Sequence, residues 1–173
     1  MKIYLIRHGN FTPMYDGDGF LNEKGIEQIN RLRKRFIEEG VEFHRIYHSP
    51  LIRARDSANK LNMGKTVSIN GLVETYQDKR DTQRAEEKDM YESDEEIVRR
   101  MRWSCLENIK SEFNEGCFGI ISHCFAIRHF LNSFNPHSRL LPHAGVVLID
   151  YSYKEPIILD YDSEKHLKGI VSS

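Results

Sequence analysis

Two histidines and two arginines stand where strands of an open sheet end. Arg7-His8 follows the apolar run Ile3-Tyr4-Leu5-Ile6, and His123 follows Ile120-Ile121-Ser122. Arg53 lies in Ser49-Pro50-Leu51-Ile52-Arg53-Ala54, just past the short run Arg45 to His48. The carboxyl ends of strands are where an α/β sheet delivers reactive groups, and these four suit a phosphoryl group. A phosphate ester is a dianion. Arginine meets it with a planar fork of two parallel donors and stays charged at every working pH. His8 can attack phosphorus through a neutral ring nitrogen, forming a phosphohistidine and dividing one hard hydrolysis into two easier steps. His123 can hydrogen-bond a nonbridging oxygen and stabilise charge in the transition state. The leaving alkoxide needs a proton, and Glu74, after Leu72-Val73, is the first candidate acid beyond the third strand. To donate near neutrality it needs a raised pKa.

The elements that must hold these groups alternate along the chain. After the first strand, Phe11 to Phe20 reads as a turn-rich loop with Pro13, Gly17 and Gly19. Asn22 reads as the N-cap of a helix whose apolar face is Ile26, Ile29, Leu32, Phe36 and Ile37, with Gly40 at its stop. A strand at 45–48 precedes a helix capped by Ser49 with Pro50 at its first position, lined by Leu51, Ala54, Ala58 and Leu61 and ended by Gly64. The N-terminus of that helix offers backbone donors to an anion. Thr66 to Ile69 reads as a strand, and Ser93-Asp94-Glu95-Glu96 as a capping box opening a helix with Ile97, Met101, Leu106, Ile109 and Phe113 on one face. A strand over 117–122, a helix over 125–134 and strands near 146–149 and 156–159 complete the pattern. Strands alternating with helices predict a three-layer α/β/α sandwich on a mostly parallel sheet, its last strand's direction left open. Residues 1–173 read as one domain, with a charged loop or short lid at about 76–91.

Composition narrows the function classes. A net charge of -1 argues against a nucleic-acid or polyanion binder, so attraction for phosphate must come from a few converging cations. Cys105, Cys117 and Cys124 form no disulfide framework, which suits a reducing, cytoplasmic setting. No leader pattern precedes the first strand and no segment has the length of a membrane span, so neither membrane nor nucleic acid is expected as a partner. His44 and His48 are four apart, but on a strand that spacing does not converge on a metal, and the remaining histidines lack supporting carboxylates or cysteines. No metal site is expected. Trp103 and Phe113 read as helix packing, and Arg31 to Arg35 as a solvated basic face.

The ordered set of segments resembles the histidine phosphatase superfamily, also called the phosphoglycerate mutase-like family. Leu5-Ile6-Arg7-His8-Gly9 matches its signature strand and nucleophile, Leu21 to Gln28 its first helix entry, and Ser49 to Ala58 the segment with the second arginine. Leu72-Val73-Glu74, Tyr91-Glu92-Ser93, Ile121-Ser122-His123 and Leu141 to Val146 follow in family order. The resemblance implies His8 as nucleophile, Arg7, Arg53 and His123 as phosphate ligands, Glu74 as proton donor, and neither metal nor organic cofactor. Asn10-Phe11 departs from the usual glutamate or glutamine followed by threonine or serine, with Asn10 still able to bond a phosphate oxygen. Val73 stands where an arginine is common, Cys124 where glycine is, and His143 where asparagine is. Asp78, Asp81 or Glu86 are alternative proton donors to Glu74. The resulting expectation is a metal-independent phosphomonoesterase acting on a phosphorylated small molecule or a phosphoprotein. A phosphohistidine-type protein phosphatase, a mutase and a noncatalytic phosphate-binding module are the alternatives; the short lid disfavours the mutase.

Overall fold

The computed structural model describes residues 1–75, 92–152, 155–161 and 165–169. Eight strands are placed among them: β1 (Lys2–Arg7), β2 (Phe11–Pro13), β3 (Gly19–Leu21), β4 (Arg45–His48), β5 (Thr66–Ser68), β6 (Cys117–Ser122), β7 (Val146–Asp150) and β8 (Ile157–Asp160). The helices are α1 (Glu23–Glu38), α2 (Ile52–Leu61), α3 (Asp94–Arg102), α4 (Asn108–Glu112) and α5 (Cys124–Asn132). Six strands form one sheet in the order β5-β4-β6-β1-β7-β8, and β2 and β3 make a separate hairpin. The pairs β5-β4, β4-β6 and β6-β1 are parallel, while β7 runs antiparallel to β1 and β8 antiparallel to β7. The sheet is therefore mostly parallel with an antiparallel margin.

Strand alternation divides the core into two layers. Ile3 and Leu5 of β1, Tyr47 of β4 and Phe118 and Ile120 of β6 face a core completed by Ile97, Met101, Leu106, Ala126 and Phe130 from α3 to α5. Ile6, Ile46 and Ile121 face the opposite core, closed by Ile29, Leu32 and Phe36 of α1 and Ala54, Ala58 and Leu61 of α2. Both sheet faces are covered by helices, as an α/β sandwich requires. The helix after β1 lies on one face and the helix after β6 on the other. Their adjacent carboxyl ends thus open a crevice at a topological switch point.

Several sequence expectations change. Phe11 to Phe20 is a hairpin rather than an open loop, with Thr12 opposite Phe20. Ile37 of α1 is exposed. Ser49 does not cap α2: the helix begins at Ile52 without a side-chain cap from its N-cap Leu51, and it ends at Asn62 in the left-handed region (φ 44°) before Gly64 is reached. The apolar step from Met101 to Leu106 is five residues, one too many for an α-turn. The backbone absorbs it as a π-helical turn over Trp103–Glu107, which leaves Trp103 exposed. The capping box at Ser93 forms as expected. Among the described residues no helix is long and apolar enough to cross a membrane. The loop or lid expected at about 76–91, with Asp78, Asp81 and Glu86, lies outside the described residues.

Candidate active site

His8 follows β1, its backbone N–H donating to the Ser122 carbonyl at the end of β6 (3.1 Å). Ser49 is held likewise by the Ile121 carbonyl (3.0 Å). The structure thereby brings Arg7, His8, Arg53 and His123 to one edge. Asn10 lies beside them, bonded to Asn22 and facing His143, and the Glu74 carboxyl is close enough to feel both Arg7 and Arg53. The loop carrying His8 is clamped by neighbours. Gly9 N–H donates to Ser57 Oγ (3.0 Å), which donates to the Arg53 carbonyl (2.7 Å), and Asn10 N–H donates to buried Gln28 Oε1 (2.8 Å). Gly25 lets this loop lie on the start of α1, since a Cβ there would overlap the Asn10 carbonyl.

The protonation pattern of His8 follows from its partners. Nδ1 faces the Gly9 carbonyl at 2.8 Å, an acceptor only, so Nδ1 carries the hydrogen. Nε2 faces Arg53 Nε at 3.3 Å, a donor only, so Nε2 presents its lone pair. Burial first, then Arg53, Arg7 and His143, hold the ring's pKa well below the ordinary histidine value, against the pull of the Gly9 carbonyl. His8 thus presents a neutral, oriented nitrogen lone pair beside the Arg53 guanidinium. His48 makes the same Nδ1 contact to the Ser49 carbonyl (2.8 Å), so the posture alone does not make a site.

His123 is fully buried with Nε2 2.8 Å from Ser49 Oγ, and its Nδ1 has no hydrogen-bond partner. Ser49 Oγ accepts from Leu51 N–H (3.3 Å) and keeps both a hydrogen and a second lone pair for His123 Nε2, so Nδ1 is the unpartnered ring nitrogen in either tautomer. In the tautomer in which Ser49 donates to Nε2, the Nδ1–H of this ring, whose centroid lies 5.1 Å from that of His8, suits an anionic oxygen. Burial, then His8 and the arginines, keep His123 neutral.

Arg53 is buried and spoken for: Nη1 donates to Asp18 Oδ1 (2.8 Å), and its guanidinium lies 4.8 Å over the Phe11 ring. Phe11, an odd residue for the family pattern, is the platform under that cation. At the start of α2, Leu51 N–H donates to Ser49 Oγ and Ile52 N–H to Asp18 Oδ2 at 2.7 Å, so the protein supplies its own acceptors for those two donors, one of them a carboxylate. Arg7 Nη1 donates to the Leu141 carbonyl (2.7 Å) and Nη2 to His143 Nε2 (3.0 Å), while buried Nε has no partner.

Glu74 Oε1 accepts from Thr75 N–H (2.9 Å) and from Ala126 N–H in the first turn of α5 (3.1 Å). Burial raises its pKa despite those donors and the two arginines. With Oε1 committed as an acceptor, a proton on this carboxyl resides on Oε2. The loop behind it is anchored twice. Ser122 Oγ donates to the Leu72 carbonyl (2.7 Å). Arg100 of α3 donates to the carbonyls of Gly71 (2.8 Å), Val73 (2.9 Å) and Glu74 (3.3 Å) while pairing with Glu92.

Sequence reasoning did not single out Asp18, Gln28, Ser49 as a histidine partner, Ser57 or Arg100. Asp18 had a signal in the Asp-Gly-Asp turn, but Arg100 looks like any surface cation on a helix until the Gly71 to Glu74 carbonyls are placed beside it. No group of three or more histidine, cysteine or carboxylate side chains among the described residues is arranged to hold a metal.

The family model for the histidine phosphatase superfamily (branch 1) matches residues 3–74, the stretch that contains Arg7, His8, Arg53 and Glu74. Over that stretch the chain is similar to the histidine phosphatase superfamily. Solved structures of the same fold cover nearly all of it. Phosphoserine phosphatase from Entamoeba histolytica, in complex with 3-phosphoglyceric acid, is 21% identical with a TM-score of 0.73 over 96% of this chain and 98% of that one. YhfR of Bacillus stearothermophilus is 19% identical, TM-score 0.77, over 96% and 99%. The protein histidine phosphatase SixA, complexed with tungstate, is 14% identical, TM-score 0.71, over 97% and 100%. A sequence search of curated proteins gave no match. The matched segment supplies one side of the crevice, and His123, from outside it, supplies the other.

Proposed function

We propose that the protein is a metal-independent phosphomonoester hydrolase working through a phosphohistidine at His8. The carrying observation is the forced tautomer of His8, with Nδ1–H on the Gly9 carbonyl and the Nε2 lone pair among Arg7, Arg53 and His123. The Nε2 pair attacks phosphorus and the P–O bond to the alcohol breaks. Glu74 gives the Oε2 proton to the leaving oxygen. Water then attacks the phosphohistidine, giving a proton to Glu74 as the P–N bond breaks and His8 returns to neutrality. Arg7, Arg53 and the His123 Nδ1–H hold the nonbridging oxygens through both steps, and Asn10 adds a rim donor. The match of residues 3–74 to the histidine phosphatase superfamily model and the fold's likeness to phosphatases support the reading.

The substrate class is a phosphorylated small molecule or a phosphoprotein; the former is named by the phosphoserine phosphatase, the latter by SixA. Three free cysteines support a reducing, cytoplasmic setting. The test is hydrolysis of an activated aryl phosphate in excess chelator, wild type against His8→Ala. Turnover that survives chelation and vanishes in the variant is expected. Turnover that persists in His8→Ala, or that chelator removes, rejects the mechanism.

A further inference from the structure

His143 has partners that no single tautomer satisfies. Gly25 N–H donates to Asn22 Oδ1 (2.9 Å), which fixes the Asn22 amide; its Nδ2 then donates to Asn10 Oδ1 (2.6 Å), which fixes the next. Asn10 therefore presents Nδ2, a donor, toward His143 Nδ1 at 3.4 Å. On the other side of the ring Arg7, which can only donate, contacts Nε2 at 3.0 Å. Nε2 must accept, so the neutral ring carries its hydrogen on Nδ1. The ring is neutral because burial, Arg7, Lys24 and Arg53 lower its pKa to about 4. Two donor nitrogens thus lie side by side at 3.4 Å, neither able to accept from the other. This half-buried pair sits beside the nucleophile, the His143 and His8 ring centroids being 5.4 Å apart.

We infer that Asn10 Nδ2 and His143 Nδ1 form a two-donor notch that receives an anionic oxygen of the substrate. Such an oxygen, seated at ordinary hydrogen-bond distance of roughly 2.9 Å from both nitrogens, turns a donor-donor conflict into two bonds. The positive charge of Lys24 and Arg7 near the ring favours an anion over a neutral carbonyl. The notch is specific to residues where this chain departs from the family pattern, Asn10 and His143, and rests on the phosphatase reading above. Its occupant is an oxyanion: a nonbridging oxygen of the phosphoryl group, or an acid group elsewhere on the substrate.

Ring 15N and 1H NMR of His143 tests this on the full chain, with His8 as the internal control. The expected resting state is the Nδ1–H tautomer. Inorganic phosphate that shifts both His8 and the His143 Nδ1–H places a phosphoryl oxygen in the notch. A shift at His143 only with a nonhydrolysable phosphonate bearing a carboxylate places the second acid group there. Signals of His8 that move with either probe while His143 stays still overturn the notch and leave the phosphatase reading intact. No response at either ring rejects both. In parallel, His143→Gln keeps an acceptor for Arg7 and a donor for the oxygen and should retain affinity for the probe that shifts His143 within about threefold, whereas His143→Leu should lose about tenfold or more. Equal affinity in both variants overturns the assignment.

Discussion

Burial moves the site's ionisable groups in opposite senses, and each leaves a mark on stability. His8 and His123 have depressed pKa values, so below an unfolded-state value of about 6.5 the unfolded chain takes up protons that the native state refuses. Stability should fall as pH drops from there, and denaturation curves of His123→Gln should show a shallower decline. Glu74 is the reverse case. Its raised pKa means that the native state holds a proton which the unfolded chain releases above about 4.3, so its contribution is lost as pH rises through the raised value. Glu74→Gln removes that penalty. It should be more stable than wild type at pH 7 by chemical denaturation, yet slower by about 10²-fold or more on alkyl phosphates. An activated aryl phosphate, whose leaving group needs no proton, should be affected far less. Equal losses on both substrates would assign the proton to another group.

At the scale of elements, the acid is held by a helix on the far side of it. Arg100 gathers the carbonyls of Gly71, Val73 and Glu74 and pairs with Glu92, so α3 fixes the loop whose carboxyl touches the start of α5. Arg100→Ala should slow poor leaving groups more than activated ones, copying Glu74→Gln in kind, but unlike it should cost about 2 kcal/mol of stability. Arg100→Lys should recover only part, because one ammonium cannot span three carbonyls and a carboxylate. A uniform loss on all substrates would mean that Arg100 supports the fold alone. The same contrast explains what was legible in the sequence. Strand ends carrying Arg7, His8 and His123 were readable because apolar runs of period two announce them and the chemistry stands immediately after. The two-layer core was readable from the spacing of Ile29, Leu32 and Phe36 and of Ile97 and Met101. The π-turn was hidden in a five-residue step at Met101 to Leu106, the hairpin in Phe11 to Phe20 behind its turn residues, and the cap of α2 in Asp18, thirty-four positions before the N–H it meets. Long-range polar contacts leave no periodicity. Arg100 and Asp18 are therefore invisible until the backbone carbonyls and amides they serve have been brought together.

Across the whole molecule, charge is nearly balanced, yet the crevice is not. The chain carries a net charge of -1, while Arg7, Arg53 and the unpartnered His123 Nδ1 converge at one edge, with Asp18 as the carboxylate bound directly to Arg53. Buried cationic groups gathered this way destabilise the native fold, and an oxyanion that binds among them must stabilise it. At a concentration one hundred times its Kd, phosphate or vanadate should add about 2.7 kcal/mol. For a domain of this size that raises Tm by roughly 5–10 °C. The increase should persist in Glu74→Gln, which leaves the cations in place, and shrink sharply in Arg53→Leu. Sodium chloride at equal ionic strength separates bulk salt effects from occupancy, since screening acts on every exposed charge whereas occupancy requires Arg53. A Tm rise as large in Arg53→Leu as in wild type would move the anion away from this crevice. A rise confined to wild type and Glu74→Gln, together with no ester turnover, would identify a phosphate-binding module. The same rise with ester turnover in wild type that His8→Ala abolishes would instead make this edge of the sheet a phosphatase active site.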